Sequence, residues 1–316
     1  MKTSAGLLLA DLNQGESAGF RYPNRRYLRW RDRAPMSYKD LLVVLDASAP
    51  ARGRIDLATA LAERFAAHLV GLYPMQIPER PRELGYFDPA MLDPFFAEAR
   101  ERARNAADKV REQFESVAKL RGASAEWRVV PEGAEADPAL HARYADLTIL
   151  GQLDPDRGET EMIRPRPEQV TLTSGRPILV VPYAGRFENI GRRIVVGWSA
   201  TREAARAVND AMPLLTTADM VTVLTIDARE RPGGHGELPG ADISRHLARH
   251  VVKATIEQTV SADLSVGDAL LSRAADLGAD LLVMGAYGHS RMRELLLGGA
   301  TRTLLRSMTL PVLMSH

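Results

Sequence analysis

The sequence of 316 residues contains no cysteine. Disulfide bonds, thiolate metal sites and a thiol nucleophile are therefore excluded. The formal charge is only +1 at pH 7, so there is no electrostatic reason to expect nucleic acid or an anionic membrane as a partner. No apolar run is long enough to cross a bilayer, and the early run GLLLA at 6–10 is too short for the core of a signal peptide. We therefore expect a cytoplasmic protein.

Residues 1–35 differ in composition from the rest of the chain. The segment RYPNRRYLRWRDR at 21–33 combines six arginines with aromatic residues. A basic arm that contacts nucleic acid or lipid is one interpretation. Because the whole protein is nearly neutral, we favour the other interpretation, a disordered extension. The segment MSYKDLLVVLD, from Met36, then begins the first folded domain with a strand.

Short apolar runs alternate with helix-like stretches, and the same order occurs twice. In the first half, strands are predicted at 40–46, 68–74, 125–132, 146–152 and 176–182, and helices at 51–67, 91–121 and 136–145. In the second half, strands are predicted at 192–200, 220–227, 253–260, 280–286 and 311–315, and helices at 201–215, 241–252 and 266–278. Apolar runs without alternation are typical of a parallel sheet that is covered on both faces.

The ends of the two halves match most closely. An aspartate opens the fourth strand of each half (Asp146 and Asp280), and a proline opens the fifth (Pro177 and Pro311). The sequence therefore predicts an α/β protein made of two doubly wound, five-stranded parallel-sheet domains in tandem, of the flavodoxin-like type. We place them at 36–182 and 192–316, with a linker at 183–191. If the fifth strands lie at sheet edges, pairing them would cover both edges and make an intramolecular pseudo-dimer. Whether two chains also form a homodimer is left open by the sequence.

A glycine-rich segment, GAYGHSRMRELLLGGATRT, occupies 285–303 between a predicted strand and a predicted helix. In open α/β sheets, ligands bind beyond the carboxyl ends of the strands where the strand order reverses. With the order 2-1-3-4-5 or a relative of it, that point borders the first strand. Glycine lets a backbone approach a ligand, and the free N–H groups of a loop and of a helix beginning near 299–301 attract anions.

Two interpretations of this segment compete. The glycines serve only the turns, or they form a phosphate-binding loop with side-chain donors from His289, Ser290, Arg291 and Thr301. Their spacing differs from that of the Walker loop and of the dinucleotide fingerprint. Three glycines at the carboxyl end of the appropriate strand favour the phosphate-binding loop.

The pattern G-x2-G-x9-G at 285–298 resembles the nucleotide loop of the universal stress protein family. The preceding DLLVMG and the final PVLMS are similar to that family too, and the resemblance covers essentially all of 37–316 as a tandem of two such domains. It implies an adenine-nucleotide-binding fold that is often dimeric, is linked to stress survival and lacks a well-defined reaction. The implied ligand is ATP, bound with or without Mg²⁺.

The resemblance also assigns residues. It places the phosphates at Gly285, Gly288 and Gly298. The family usually has Ser or Thr after the third glycine, where this sequence has Gly299, and the missing hydroxyl contact is worth about 1 kcal/mol. The family has an aspartate near the adenosine at the end of the first strand, where the second half has Ser199. The complete predicted site consists of Gly285, Gly288, His289, Ser290, Arg291, Gly298, Gly299, Ala300, Thr301, Ser199 and Thr201.

The first half departs from the family pattern in a different place. It keeps the aspartate, as Asp46, but its segment LDPDRGETEMIRPRPEQV at 153–170 lacks the second and third glycines and contains five acidic residues. Those acids would repel phosphate, so the second half is the better candidate for nucleotide binding.

Other candidate chemistry is weak. His246 and His250 are four residues apart on a predicted helix with Asp242 one turn before, a spacing that suits a metal, but an exposed or partner-facing surface is favoured. No catalytic residue is predicted, so any ATP hydrolysis should be slow. The alternative function is a non-enzymatic interaction protein of the same fold that binds no nucleotide.

Overall fold

The computed structural model describes residues 37–75, 89–131, 136–154, 165–228, 239–288 and 299–316. The predictions for 1–35 concern residues outside these ranges. Within them, no helix combines the length and the apolar character that crossing a membrane requires.

The first half of the chain alternates strands and helices. Its elements are β1 (Asp40–Val44), α1 (Ala51–Phe65), β2 (His68–Pro74), α2 (Pro89–Leu120), β3 (Ala125–Val130), α3 (Pro138–Ala142), β4 (Leu147–Gly151), α4 (Pro167–Ser174) and β5 (Ile178–Val181). Helix α4 is not among the helices that the sequence predicted. It begins with Pro167 in its first turn, where a missing N–H costs no hydrogen bond.

The second half repeats this alternation. Its elements are β6 (Arg193–Gly197), α5 (Arg202–Asp210), α6 (Met212–Leu215), β7 (Met220–Ile226), α7 (Ala241–Arg249), β8 (Ala254–Thr259), α8 (Val266–Asp276), β9 (Leu281–Gly285), α9 (Gly299–Ser307) and β10 (Val312–Ser315). The single helix predicted at 201–215 is divided at Ala211, because Pro213 cannot continue the hydrogen-bond ladder of a helix. Helix α9 begins at Gly299, as predicted.

The ten strands of the described residues form one sheet in the order β3-β2-β1-β4-β5-β10-β9-β6-β7-β8. The pairs within each half are parallel, and the two halves meet where β5 and β10 pair antiparallel, with Leu179 opposite Leu313. The predicted tandem of doubly wound α/β units and the pairing of the fifth strands are thus confirmed. The order within each half is 3-2-1-4-5 rather than 2-1-3-4-5, so it reverses between the first and fourth strands. The domain boundaries at 36–182 and 192–316 stay predictions.

Helices cover both faces of the sheet. On β1, Leu41 and Val43 belong to one core, whereas Leu42 and Val44 belong to the other. Helices α1, α2, α5, α6 and α7 contribute to the first core, on what we call the α1 face; α3, α4, α8 and α9 contribute to the second, on the α9 face. Burial on both faces explains why these strands are continuously apolar.

The two repeated aspartates have the same structural role in each half. Asp146 accepts a hydrogen bond from the backbone N–H of Lys39 at 2.7 Å. Asp280 accepts hydrogen bonds from the backbone N–H groups of Gly191 at 2.8 Å and Arg192 at 3.0 Å. Each aspartate joins the start of a fourth strand to the start of a first strand, at the end of the sheet opposite the predicted site.

Candidate functional site

A cavity of about 490 Å³ lies at the carboxyl ends of the strands in the second half. It adjoins β6 and β9, the pair between which the strand order reverses. Its wall includes the predicted residues Gly285, Gly288, Gly299, Ala300, Thr301, Ser199 and Thr201, with apolar side chains from β7, α8 and β9. The four other predicted residues, His289, Ser290, Arg291 and Gly298, lie outside the part of the chain that the structure describes.

Gly285 has a packing role that the sequence did not reveal. A Cβ atom at this position would lie 2.5 Å from the carbonyl carbon of Glu203 and 2.9 Å from Cα of Ala204. These are backbone atoms in the first turn of α5, which cannot move aside as a flexible side chain can. Glycine at 285 therefore lets the end of β9 touch the start of α5, whatever it contributes to a ligand.

Gly288 and Gly299 differ from Gly285 in what surrounds them. A Cβ atom on Gly288 would lie 3.2 Å from Oε2 of Glu203 and 3.4 Å from Oγ1 of Thr201. A Cβ atom on Gly299 would meet no atom of the described residues within 4 Å. The first residue of α9 thus presents an open side, and a larger residue fits there without strain.

The start of α9 supplies the positive end of the cavity. The first N–H groups of a helix have no partner within it, and the helix dipole makes this end attractive to anions. Gly299, Ala300 and Thr301, which form the start of α9, all line the cavity. Thr301 is 3% exposed, and its Oγ1 accepts a hydrogen bond from the backbone N–H of Tyr287 at 3.4 Å. Thr301 therefore ties the helix to the end of β9.

The two hydroxyl residues after β6 lie side by side. Oγ of Ser199 and Oγ1 of Thr201 are 3.2 Å apart. Thr201 is the N-cap of α5, and its hydroxyl oxygen accepts a hydrogen bond from the backbone N–H of Ala204 at 3.3 Å. Thr201 is thus partly committed to capping, whereas Ser199 keeps more of its hydrogen-bonding capacity for a ligand.

Glu203 is a residue of this region that the sequence reasoning missed. Its side chain is 1% exposed, and one oxygen accepts a hydrogen bond from Nε of Arg202 at 2.5 Å. Burial raises the pKa of Glu203, but hydrogen bonds from Arg202, its own backbone N–H and Thr201 lower it below the usual range overall. The carboxylate is therefore ionised at neutral pH. Its other oxygen, Oε2, has no hydrogen-bond partner among the described residues.

Tyr287 also lines the cavity without having been predicted. It adopts φ of 56°, in the left-handed region that non-glycine residues rarely occupy, directly before Gly288. Burial raises the pKa of the Tyr287 phenol, and the negative charge of Glu168, from the first half, adds to the effect. The phenol is therefore neutral at physiological pH.

The corresponding place in the first half is filled. Asp46 and Gly151 stand where the second half has Ser199 and Gly285. Between them lies the guanidinium of Arg54, a residue that is 2% exposed and donates a hydrogen bond to Asp46 at 2.5 Å. A Cβ atom on Gly151 would lie 2.9 Å from Cζ of Arg54. Only about 20 Å³ of cavity remains here.

Comparison with known proteins agrees with this division. The profile of the universal stress protein family matches residues 191–316. Universal stress protein Slr1230 of Synechocystis sp. (strain ATCC 27184 / PCC 6803 / Kazusa) is 42% identical over 178 residues, which cover 53% of this chain and 57% of that protein. Residues 191–316 are thus similar to the universal stress protein family. The chain thus spans little more than half the length of this curated relative.

Solved structures extend the likeness in fold to most of the chain. A universal stress protein from Archaeoglobus fulgidus DSM 4304 superimposes with a TM-score of 0.63 at 14% identity, over 87% of this chain and 96% of that chain. A functionally unknown protein from Pseudomonas aeruginosa PAO1 gives a TM-score of 0.53 at 14% identity, over 88% and 92% of the two chains. The likeness in fold therefore includes the first half, and the open cavity lies in the region at 191–316 that matches the family profile.

Proposed function

We propose that the chain is a stress-response protein that binds an adenine nucleotide, ATP foremost, in the cavity of its universal stress protein domain. One observation carries the proposal. The cavity lies where the strand order reverses, and the first turn of α9 opens into it beside Gly285 and Gly288. In α/β sheets of this kind, this is the position where ligands bind.

The lining suits the parts of a nucleotide. The volume of about 490 Å³ falls within the range of about 300–1,000 Å³ that is typical of small-molecule sites. The apolar wall would hold the adenine ring; it consists of Leu224, Ile226, Val266, Leu270 and Met284. The phosphates would lie against the N–H groups of Gly299 and its neighbours. Ser199 and Thr201 would hydrogen-bond the ribose.

A magnesium ion would depend on the nucleotide itself. The described residues contain no cluster of three or more His, Cys, Asp or Glu side chains that could hold a metal. The described part of the site therefore does not fit a resident ion, and Mg²⁺ would enter on the phosphates. Because we assign no general base, we expect any hydrolysis to be slow.

An interaction protein that binds no nucleotide is the alternative, and Glu203 favours it. Its ionised carboxylate lies directly behind Gly288. A buried negative charge beside the loop repels phosphate, because water screens it little. If this repulsion exceeds the attraction of the α9 N-terminus, the cavity stays without nucleotide.

Substitutions at Gly299 separate these two functions, because its side faces open space. Calorimetry of the full chain with millimolar ATP and Mg²⁺ should show saturable binding. Gly299→Glu should abolish it, since the new carboxylate faces the phosphates, while Glu at a helix start preserves the fold. Gly299→Ser is the matched control and should bind at least as tightly as the unaltered chain. Absence of heat and of any thermal shift in the unaltered chain would refute nucleotide binding.

A further inference from the structure

A second cleft lies in the first half of the molecule. It has a volume of about 810 Å³, and the described part of its wall comes from the loop after β1, the first turn of α1 and the middle of α2. Helices α1 and α2 pack on the α1 face, whereas α8 and α9 beside the nucleotide cavity pack on the opposite face. Among the described residues, the cleft shares no lining residue with the nucleotide cavity or with the filled site of Arg54.

The charged side chains of this cleft have one sign. Arg52, Arg102 and Lys109 line it, and no described lining residue is acidic. Arg52 lies 3.3 Å from Asp56, and Arg102 lies 3.7 Å from Glu98. Both ion pairs are exposed to solvent and hence weak, so an anionic ligand can compete for these guanidinium groups. Lys109 has no hydrogen-bond or ion-pair partner among the described residues.

Polar side chains of α2 converge on the same cleft. Arg102, Asn105, Lys109 and Gln113 are separated by three or four residues, a spacing that aligns them on one side of the helix. The amides can donate hydrogen bonds to ligand oxygens. Between the polar residues, Ala106 and Val110 give the wall an apolar part.

Ser48 is the independent sign of a ligand. It lines the cleft and is only 8% exposed, yet its Oγ has no hydrogen-bond partner among the residues that the structure describes. Its backbone is satisfied: the N–H donates to Asp46 at 2.8 Å, and the carbonyl accepts from the N–H of Ala51 at 3.1 Å. A buried hydroxyl without a partner is unfavourable, and a ligand oxygen in the cleft would supply the missing acceptor.

The start of α1 adds positive polarity. This helix of 15 residues has Pro50 at its N-cap, and the side chain of Pro50 makes no capping hydrogen bond to the free N–H groups. Uncapped N–H groups and the helix dipole both attract an anion.

We propose that this cleft binds a small polyphosphorylated molecule. Arg52, Arg102 and Lys109 hold its phosphate groups, and Ser48 donates a hydrogen bond to one of their oxygens. Because the cations come from two helices, we assign the cleft a ligand with two or three phosphate groups. The first half thereby has a ligand site of its own, although its universal-stress-type site is filled.

The test uses the full chain carrying Gly299→Glu, which closes the proposed nucleotide site, and inorganic pyrophosphate as the probe in calorimetry. We expect saturable binding that weakens as ionic strength rises. The double variant Arg102→Gln and Lys109→Gln should lose at least tenfold in affinity. Ser48→Ala should lose about threefold, because one hydrogen bond to a charged group disappears.

The matched control is the double variant Arg104→Gln and Arg111→Gln. These residues are exposed on the same helix, outside the described lining of the cleft. This control variant removes the same net charge as Arg102→Gln and Lys109→Gln, and it should change the affinity by less than twofold. Equal loss in both double variants, or no binding of pyrophosphate, would overturn the proposal. Because all four side chains are exposed, the variants should keep the unfolding temperature of the parent, which a thermal scan checks.

Discussion

The two halves of the chain form the same five-stranded unit, but different groups pack against the glycine at the end of the fourth strand. In the first half, the side chain of Arg54 covers Gly151 and binds Asp46. In the second half, the residue corresponding to Arg54 is Ala207, and the backbone of α5 itself covers Gly285. One site is closed by a buried ion pair, and the other keeps a cavity. The repeated fold thus keeps the site at the same position in both halves, but only in the second half does the site have space for a ligand.

The largest effect is expected from Arg54→Ala, which introduces the residue found at the corresponding position, Ala207, of the second half. Removal of the Arg54 side chain leaves the Asp46 carboxylate without the guanidinium that binds it at 2.5 Å, and we expect a loss of about 3–5 kcal/mol in the free energy of unfolding. Urea denaturation measures it. The exposed Arg52→Ala on the same helix is the control and should cost less than about 0.5 kcal/mol. A loss below about 1 kcal/mol at Arg54 would show that the ion pair does not hold this site closed.

The next test adds one methyl group at the packing contact of the second half. Gly285→Ala places a Cβ atom against the backbone of α5, and we expect a loss of about 1–3 kcal/mol in the free energy of unfolding. Gly299→Ala is the matched control, because its Cβ atom would meet open space. The control should leave stability within about 0.5 kcal/mol of the parent. If Gly285→Ala is equally neutral, the contact between β9 and α5 is not tight.

A smaller effect concerns the charge behind the phosphate loop. Glu203→Gln keeps the shape of the side chain and removes its negative charge. If ATP binds beside Gly288, the affinity should rise about threefold to tenfold, since the repulsion of the phosphates disappears. Calorimetry checks this, with exposed Glu112→Gln as the control for a change in net charge. An unchanged or lower affinity would place the phosphates away from Gly288.

The smallest effect is on stability in acid. The pKa of Glu203 is lowered in the folded protein, so the stabilisation by its ionised form is complete above the unfolded pKa, about 4.3. That stabilisation is lost as the pH falls through the folded pKa. Between pH 5 and 3, Glu203→Gln should therefore lose stability less steeply than the parent chain. Parallel urea curves at several pH values measure the two slopes, and identical slopes would contradict the assignment.

The sequence predicted the fold well because its signals are local or repeated. Continuous apolar runs identified the strands, and the paired Asp146 and Asp280 aligned the halves. The predictions failed where local signals conflict. Pro213 divides a stretch with helical periodicity, and α4 follows directly after an acidic segment. The strand order 3-2-1-4-5 depends on contacts between distant segments, which periodicity does not report.

The candidate site was predicted in part. The glycine spacing and the expected helix start at Gly299 indicated the residues that the structure brings to one cavity. The sequence could not show that Gly285 touches the backbone of α5. Nor could it single out Glu203, because an acid in the first turn of a helix is an ordinary surface feature. Only its burial against Gly288 makes it relevant to a ligand.

By itself, the sequence determined that the chain forms two α/β units of alternating strands and helices, because periodicity and turn residues act over short distances. Tertiary structure alone decided which unit keeps an open site. Whether the site is open depends on whether a side chain or a backbone segment occupies the space beside the fourth strand. The contacts involved join residues more than 75 positions apart, such as Arg54 and Gly151 or Glu203 and Gly285. It also joined β5 to β10, because only folding brings those two edges together.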